Sequence, residues 1–191
     1  MSKMQYYWMM TDGGRKRQND IIVRPRVRVE DPYILYDGVL INNWEDDMLF
    51  EYSPKEGHII TEYLGNVYGW DIFSEKAINL LGDLITNDVQ LLPIKVVNND
   101  TGLEIDKYFV VNVLRFLDAL DLKNADHYYS GDGEEKELSV IKYAIKEEKA
   151  AGHHIFRLKE SKFALFVSED FYRTVQKNKI VGCYFSKVYT S

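Results

Sequence analysis

Residues 70–97 read WDIFSEKAINLLGDLITNDVQLLPIKVV, and this stretch decides the fold class. An apolar run ends at Ser74, whose hydroxyl can accept hydrogen bonds from the free backbone N–H groups at a helix start. Glu75 follows at the positive end of the helix dipole. Apolar residues then recur at helical spacing, which predicts a helix over about residues 75–85. The β-rich segment 88–97 predicts a strand, so the unit is strand, Ser-Glu cap, helix and strand.

The same order of signals returns in the second half of the chain. FALFVSE, residues 163–169, ends in Ser168 and Glu169, and an apolar helix pattern and the strand segment 179–189 follow. Because a serine-glutamate cap after an apolar strand is common on physical grounds, duplication and coincidence both stay open. Together the units predict an α+β fold with a mixed or mainly antiparallel sheet and two Ser-capped helices in a weak pseudo-repeat. We expect one domain, 1–191, with possible half-units 1–105 and 106–191.

Other segments add strands and one loop. The nearly continuous apolar run 108–114 predicts a central strand buried on both faces. Alternation and turn residues predict further strands over 21–30 and 33–41. The segment 126–137 is charged and punctuated by glycine, which favours a loop, and 138–145 is typical of a bulged strand.

A basic strand near the N-terminus has two readings. Arg24, Arg26 and Arg28 would share one strand face, where they could grip phosphate. In a chain that is acidic overall, a solvated sheet edge that discourages aggregation is the favoured reading.

Composition excludes several classes of protein but does not identify the function. The chain has 191 residues, 46% hydrophobic, which excludes a disordered protein. A net charge of −6 and a pI near 5.3 argue against a nucleic-acid binder and favour a basic partner. Cys183 is the single cysteine, so no internal disulfide can form and the cytoplasm is the expected location. Charge-free stretches reach only eight residues, too short for a membrane-spanning helix.

Motifs for metal, cofactor or nucleophilic chemistry are missing. The spacing of His58, His127, His153 and His154 fits no common metal site, so we expect no metal, no cofactor and no catalytic residue. The carboxylate pairs Asp46 with Asp47 and Asp118 with Asp121 are more typical of a solvated face or a cap. An alternative keeps Asp118, Asp121 or His153 as the site of a hydrolase or transferase.

Acidic clusters beside aromatic residues favour a protein-binding role. Aromatic side chains anchor interfaces, and acidic patches speed the encounter with a basic partner. The candidate partner-binding residues are Trp44, Glu45, Asp46, Asp47, Asp132, Glu134 and Glu135. Trp44 is more typical of a place in the core than of an interface anchor. A homo-oligomeric structural or sensory module would use the same aromatic surface on itself, and the sequence leaves monomer and homodimer open.

Several stretches together resemble a known family. They are Asn43-Trp44, Tyr63-Leu64, Gly69-Trp70, Ser74-Glu75, 87–95, 108–112, 118–121, 155–158, 166–169 and 181–183. Their order and spacing over residues 40–189 resemble immunity family eleven of bacterial polymorphic toxin systems, whereas the first forty residues match loosely. The resemblance implies a non-catalytic cytoplasmic protein that binds and blocks a cognate toxin, commonly encoded beside it. It offers no functional residue motif; a nuclease toxin, with a basic groove, is our hypothesis for the partner.

Overall fold

A computed structural model of the chain describes residues 6–13, 18–45, 48–105, 107–131 and 136–191. Fourteen strands and three α-helices lie within these ranges. The strands are β1 Tyr7–Thr11, β2 Ile22–Pro25, β3 Leu49–Tyr52, β4 Tyr63–Asn66, β5 Ile72–Ser74, β6 Val89–Asn98, β7 Tyr108–Val113, β8 Phe116–Leu117, β9 Asp126–Ser130, β10 Glu137–Lys142, β11 Ala144–Ile145, β12 Ile155–Leu158, β13 Ser161–Ser168 and β14 Tyr184–Thr190. The helices are α1 Glu75–Leu81, α2 Glu147–Ala150 and α3 Glu169–Lys177.

The strands form a barrel, an open sheet and a hairpin. Strands β2-β3-β6-β7-β5-β4 close into a barrel, and β11-β14-β1-β13-β12-β8 form the open sheet in that order. Strands β9 and β10 pair only with each other among the described residues. Most pairs are antiparallel, but β2 with β4, β3 with β6, β11 with β14 and β12 with β8 are parallel. The predicted α+β class with a mixed, mainly antiparallel sheet is confirmed.

Three apolar clusters hold these parts together. The barrel core lies among the barrel strands and includes Val23, Phe50, Leu64, Ile72 and Val96. The shared core lies between the barrel wall, one face of the open sheet and helices α1 and α3, and it includes Phe73, Leu81, Val111, Val167 and Phe171. The outer core lies on the opposite face of the open sheet and includes Tyr7, Ile145, Phe156, Leu158 and Phe166. Strand β7 serves two of them, because Val110 faces the barrel core and Val111 faces the shared core. The predicted burial of this strand on both faces is therefore confirmed.

Both predicted serine caps are present. The Ser74 side chain accepts a hydrogen bond from Ala77 N at 3.2 Å, and Ser168 accepts one from Phe171 N at 3.2 Å. Helix α1 ends at Leu81, earlier than the predicted residue 85. The chain then passes through Gly82, whose φ of +41° favours glycine, into a short 3-10 turn.

Removing either cap should destabilise the protein by a modest, measurable amount. We expect Ser74→Ala to lower the free energy of unfolding by about 1 kcal/mol, because one helix N–H loses its acceptor. Ser168→Ala should have the larger effect, since its hydroxyl also lies 2.8 Å from Nδ1 of His154. Urea denaturation followed by circular dichroism measures both. Ser130→Ala, at an exposed strand position, is the control. Equal stability of all three variants would contradict the capping role.

Two of the strand predictions near the N-terminus need correction. The predicted strand over 33–41 is wrong, because the chain forms a 3-10 turn at Ile34–Tyr36. The turn is held by long-range contacts, since Tyr36 Oη donates to Gly69 O at 2.7 Å and Trp70 Nε1 donates to Pro32 O at 2.8 Å. The strand predicted over 21–30 is shorter, Ile22–Pro25.

The expected edge position of the basic strand is also wrong. Strand β2 is part of the wall of the closed barrel, where it pairs with β3 on one side and β4 on the other. Arg24 of β2 and Arg26, which follows the strand, are exposed and paired: Arg24 lies 2.7 Å from Glu56, and Arg26 lies 3.1 Å from Glu51. Exposed pairs of this kind contribute little to stability.

Candidate partner-binding surface

Among the described residues, the β9–β10 hairpin forms no strand pair with the barrel or with the open sheet. Leu138 pairs with Tyr129 and Val140 pairs with His127, and both Leu138 and Val140 pack against the outer core. Tyr128 and Tyr129 remain 53% and 54% exposed. The loop predicted over 126–137 is thus partly wrong, because its first five residues form β9. The predicted bulge is confirmed as a register shift between Val140 and Lys142.

An apolar groove of about 480 Å³ lies where the hairpin meets the open sheet. The bulge leaves Ile141 61% exposed at its rim, and Tyr189 is 59% exposed on β14. Neighbouring exposed apolar side chains mark interaction sites in folded proteins. The groove is lined by Met9, Asn124, Ile141, Lys142, Tyr143, Ser186, Lys187, Val188 and Tyr189.

The hairpin segment is strongly acidic. Residues 126–137 contain five acidic side chains and one lysine, a formal charge of −4 with histidine neutral. The predicted partner residues Asp132, Glu134 and Glu135 belong to this segment but lie outside the described residues. Glu137 begins β10 and is exposed. The hairpin therefore joins acidic charge to exposed tyrosine.

The other predicted partner segment lies on the barrel. Trp44 is half-buried against the barrel core, 6.0 Å from Trp70 between ring centroids, and its indole N–H donates to Pro93 O at 2.8 Å. Glu45 is exposed and lines a surface groove of about 630 Å³ with residues 26–30. Asp46 and Asp47 lie outside the described residues.

The described parts of the two predicted partner segments pack on different cores. Trp44 packs on the barrel core, whereas the hairpin packs on the outer core. Sequence analysis also missed the exposed apolar residues Tyr128, Tyr129, Ile141 and Tyr189. The available signal was the pair of adjacent tyrosines, Tyr128 and Tyr129, in a charged segment. Because neighbours on a strand point to opposite faces, a single core cannot bury both.

The carboxylates of the enzyme alternative have structural partners. Asp121 accepts from Asn124 Nδ2 at 2.6 Å and from Lys123 N at 3.1 Å, and these hydrogen bonds, the Asn124 bond first, lower the pKa of Asp121. Asp118 is exposed, and its interaction with Glu160 adds to the effect of burial, which raises the pKa of Glu160. These are contacts of turns and not of a cleft.

His153, the third group of that alternative, has its own partner. Its Nδ1 lies 3.2 Å from Oδ2 of Asp88, whose Oδ1 accepts from Arg115 Nε at 2.7 Å. His153, Asp118 and Asp121 are thus held by three different neighbours. None of the described cavities is lined by any two of them.

A buried ion pair crosses the seam between barrel and open sheet. Arg157 of β12 donates to Asp71, directly before β5, and also to Phe163 O at 2.8 Å. Tyr63 Oη donates to the other Asp71 oxygen at 2.8 Å, and the guanidinium lies over the Tyr36 ring at 4.9 Å. Burial raises the pKa of the Asp71 carboxyl, while the Arg157 charge and the Tyr63 hydroxyl oppose that shift. The ion pair therefore links the barrel to the open sheet, and the Arg157 and Asp71 side chains are both buried.

Buried tyrosines predict a loss of stability in alkali. Burial raises the pKa of Tyr7 and of Tyr36 from 10.0 to about 12, and it raises that of Tyr63 further. The neutral phenols are favoured in the folded state, so the stability they provide is present below pH 10 and is lost as the pH rises toward 12. Ultraviolet titration should therefore show a late phenolate phase coincident with unfolding by circular dichroism. Complete ionisation near pH 10 in a still-folded protein would contradict this.

Across the described ranges, no three His, Cys, Asp or Glu side chains are grouped so that they would hold a metal ion. His154 contacts Ser168, the cap of α3, and Cys183 is half-buried beside the shared core. Among the described residues, no helix combines the length and the apolar character that crossing a membrane requires.

The model of the immunity protein family Imm11 matches residues 5–190. The match includes residues 5–40, where the sequence resemblance is loose, and so takes in β1 and β2. A search of curated proteins found no match.

Proposed function

The chain belongs to the Imm11 immunity protein family, and we propose that it binds a cognate bacterial toxin and neutralises it by covering the toxin's active surface, without catalysing a reaction itself. The observation that carries this proposal is the β9–β10 hairpin. It presents two half-exposed tyrosines on a strongly acidic segment. Rigid aromatic side chains and complementary charge are what protein interfaces use.

The proposed partner is a toxin with a basic active surface, and a nuclease fits that description. An acidic segment placed over a basic cleft takes the position of substrate phosphates. We assign the central contacts to the hairpin, including Asp132, Glu134 and Glu135. Glu45, Asp46 and Asp47, which follow Trp44 in the sequence, form a second candidate contact. The proposed place of action is the cytoplasm, and the chain itself binds no nucleic acid.

Co-expression with the toxin encoded beside its gene tests the proposal. Growth should be rescued, and the two proteins should co-purify. In vitro, inhibition should reach completion at one equivalent of this protein, with the toxin's mass unchanged. An enzyme that modifies or degrades the toxin would work at far lower ratios and would change that mass. Neither rescue nor a complex would overturn the proposal.

A further inference from the structure

The outer edge of strand β14 is open along most of its length. On one side β14 pairs with β1 over residues 184–188, but on the other side β11 pairs only with Tyr189 and Thr190. An unpaired edge presents a row of backbone N–H and C=O groups to which another strand can bond. Residues 184–188 therefore offer a site for one short added strand.

The direction of the free backbone groups follows from the end of the strand. Ser191 N donates to Ile145 O at 3.0 Å, and Ser191 O accepts from Glu147 N at 3.0 Å, so Ser191 turns both groups toward β11. Successive residues of a strand turn these groups to opposite sides. Phe185 and Lys187 therefore turn theirs to the same side as Ser191, beyond the end of β11. Within the described ranges, no backbone hydrogen bond reaches them from that side.

The side chain of Lys187 does not protect this edge. A lysine that guards an edge strand places its charge where an incoming strand would lie. The Lys187 ammonium lies instead 3.5 Å from the centre of the Tyr6 ring. Tyr6 directly precedes β1, on the side of β14 that is already paired. The charge is therefore drawn away from the open edge, and the backbone of β14 stays accessible.

The groove beside the edge favours an acidic occupant. This groove of about 480 Å³ has Lys142 and Lys187 as its charged lining residues, and both are exposed. Among the described side chains, no carboxylate forms an ion pair with either lysine. Two copies joined through β14 would bring these lysines of both copies together, and like charges on paired strands are destabilising.

From the open edge and this charge we infer that β14 receives an extended segment of the toxin, which carries an acidic side chain and adds a strand to the open sheet. The added strand exchanges backbone hydrogen bonds with Phe185 and Lys187, and its acidic side chain lies near Lys142. In strand addition, backbone bonds provide affinity and side-chain contacts provide specificity. The inference rests on the proposed function and names a second contact of the same complex, with a part of the toxin other than its basic active surface.

Proline substitutions test the open edge in the protein alone. Lys187→Pro removes an N–H that has no partner in the described part of the chain, so its melting temperature should be close to that of Lys187→Ala. Ser186→Pro removes an N–H that faces β1 and should lower the melting temperature strongly. In amide hydrogen exchange, Phe185 and Lys187 should exchange quickly, whereas Ser186 should exchange slowly. The reverse pattern would overturn the inference.

Binding of the toxin encoded beside the gene, inactivated by mutation, tests the occupant. We expect Lys187→Pro to bind about tenfold or more weakly than Lys187→Ala, which loses the same charge but keeps the N–H. Lys142→Glu should also bind about tenfold more weakly, because it repels an acidic segment. Lys55→Glu, at an exposed position elsewhere, is its matched control and should bind as the parent does. The Phe185 and Lys187 amides should become protected from exchange in the complex.

The outcomes separate this inference from the proposed function. If the parent protein does not bind the toxin, both fail. If the parent binds and Lys187→Pro binds as tightly as Lys187→Ala, or if Lys142→Glu binds as tightly as Lys55→Glu, the inference fails while the proposed function stands. A dimer of the protein alone that Lys187→Pro dissociates in sedimentation would assign the edge to a second copy and overturn the inference. If Lys187→Pro does not fold, amide exchange of the parent in the complex decides, and unprotected Phe185 and Lys187 amides would overturn it.

Discussion

Asp71→Asn is expected to lower the free energy of unfolding by about 3–5 kcal/mol, a large part of the stability of a domain of this size. The Arg157 side chain is 3% exposed and stays charged at all accessible pH values. Without the Asp71 carboxylate its charge would be buried and unpaired. Urea denaturation followed by tryptophan fluorescence measures the loss.

Two comparisons make this prediction specific. Glu56→Gln breaks an exposed pair with Arg24 and should change stability by less than about 1 kcal/mol. The double variant Asp71→Leu with Arg157→Met removes both charges at similar volume, and it should recover most of the loss. If Asp71→Asn alone is as stable as the parent, the buried pair does not hold the seam.

Local chemistry made part of the fold predictable. Ser74 and Ser168 cap helices through atoms three residues away, so their role is visible in a short window. The same holds for the strand Tyr108–Val113, whose composition alone indicates burial on both faces.

Long-range pairing made the rest unpredictable. The barrel closes because Ile22 pairs with Gly65 and Leu49 with Lys95, and no local pattern specifies either register. Arg157 stands in an apolar strand and meets its carboxylate 86 residues earlier in the chain. A sequence window shows the charge but not its partner.

The candidate partner-binding surface was also predictable only in part. Acidity and tyrosine content indicated a binding protein, since both are properties of composition. The strand β9 was not expected, because glycine and charge after Ser130 outweighed the β-forming Tyr128 and Tyr129. Trp44 is the opposite case, in which the sequence suggested an interface residue. Tryptophan is common at interfaces, but here the indole N–H donates to the Pro93 carbonyl on the barrel.

The hairpin's charge should control how fast the toxin is captured. The triple variant Glu134→Gln, Glu135→Gln, Glu137→Gln changes the formal charge of residues 126–137 from −4 to −1. We expect the association rate constant at low salt to fall about tenfold or more, because attraction no longer guides the encounter. Dissociation should change less, and the dependence on ionic strength should flatten. Stopped-flow fluorescence with the inactivated toxin at several salt concentrations measures this.

A matched triple variant decides whether position or net charge is responsible. Asp83→Asn, Glu104→Gln and Glu148→Gln remove three exposed charges outside the hairpin and alter the net charge of −6 equally. Because screening limits each charge to a range of about 8 Å at physiological salt, this variant should slow association far less than the hairpin triple at that salt concentration. Equal slowing by both triples would mean that overall acidity attracts the toxin. The hairpin would then lose its assignment as the contact surface, while the toxin-neutralising function would remain.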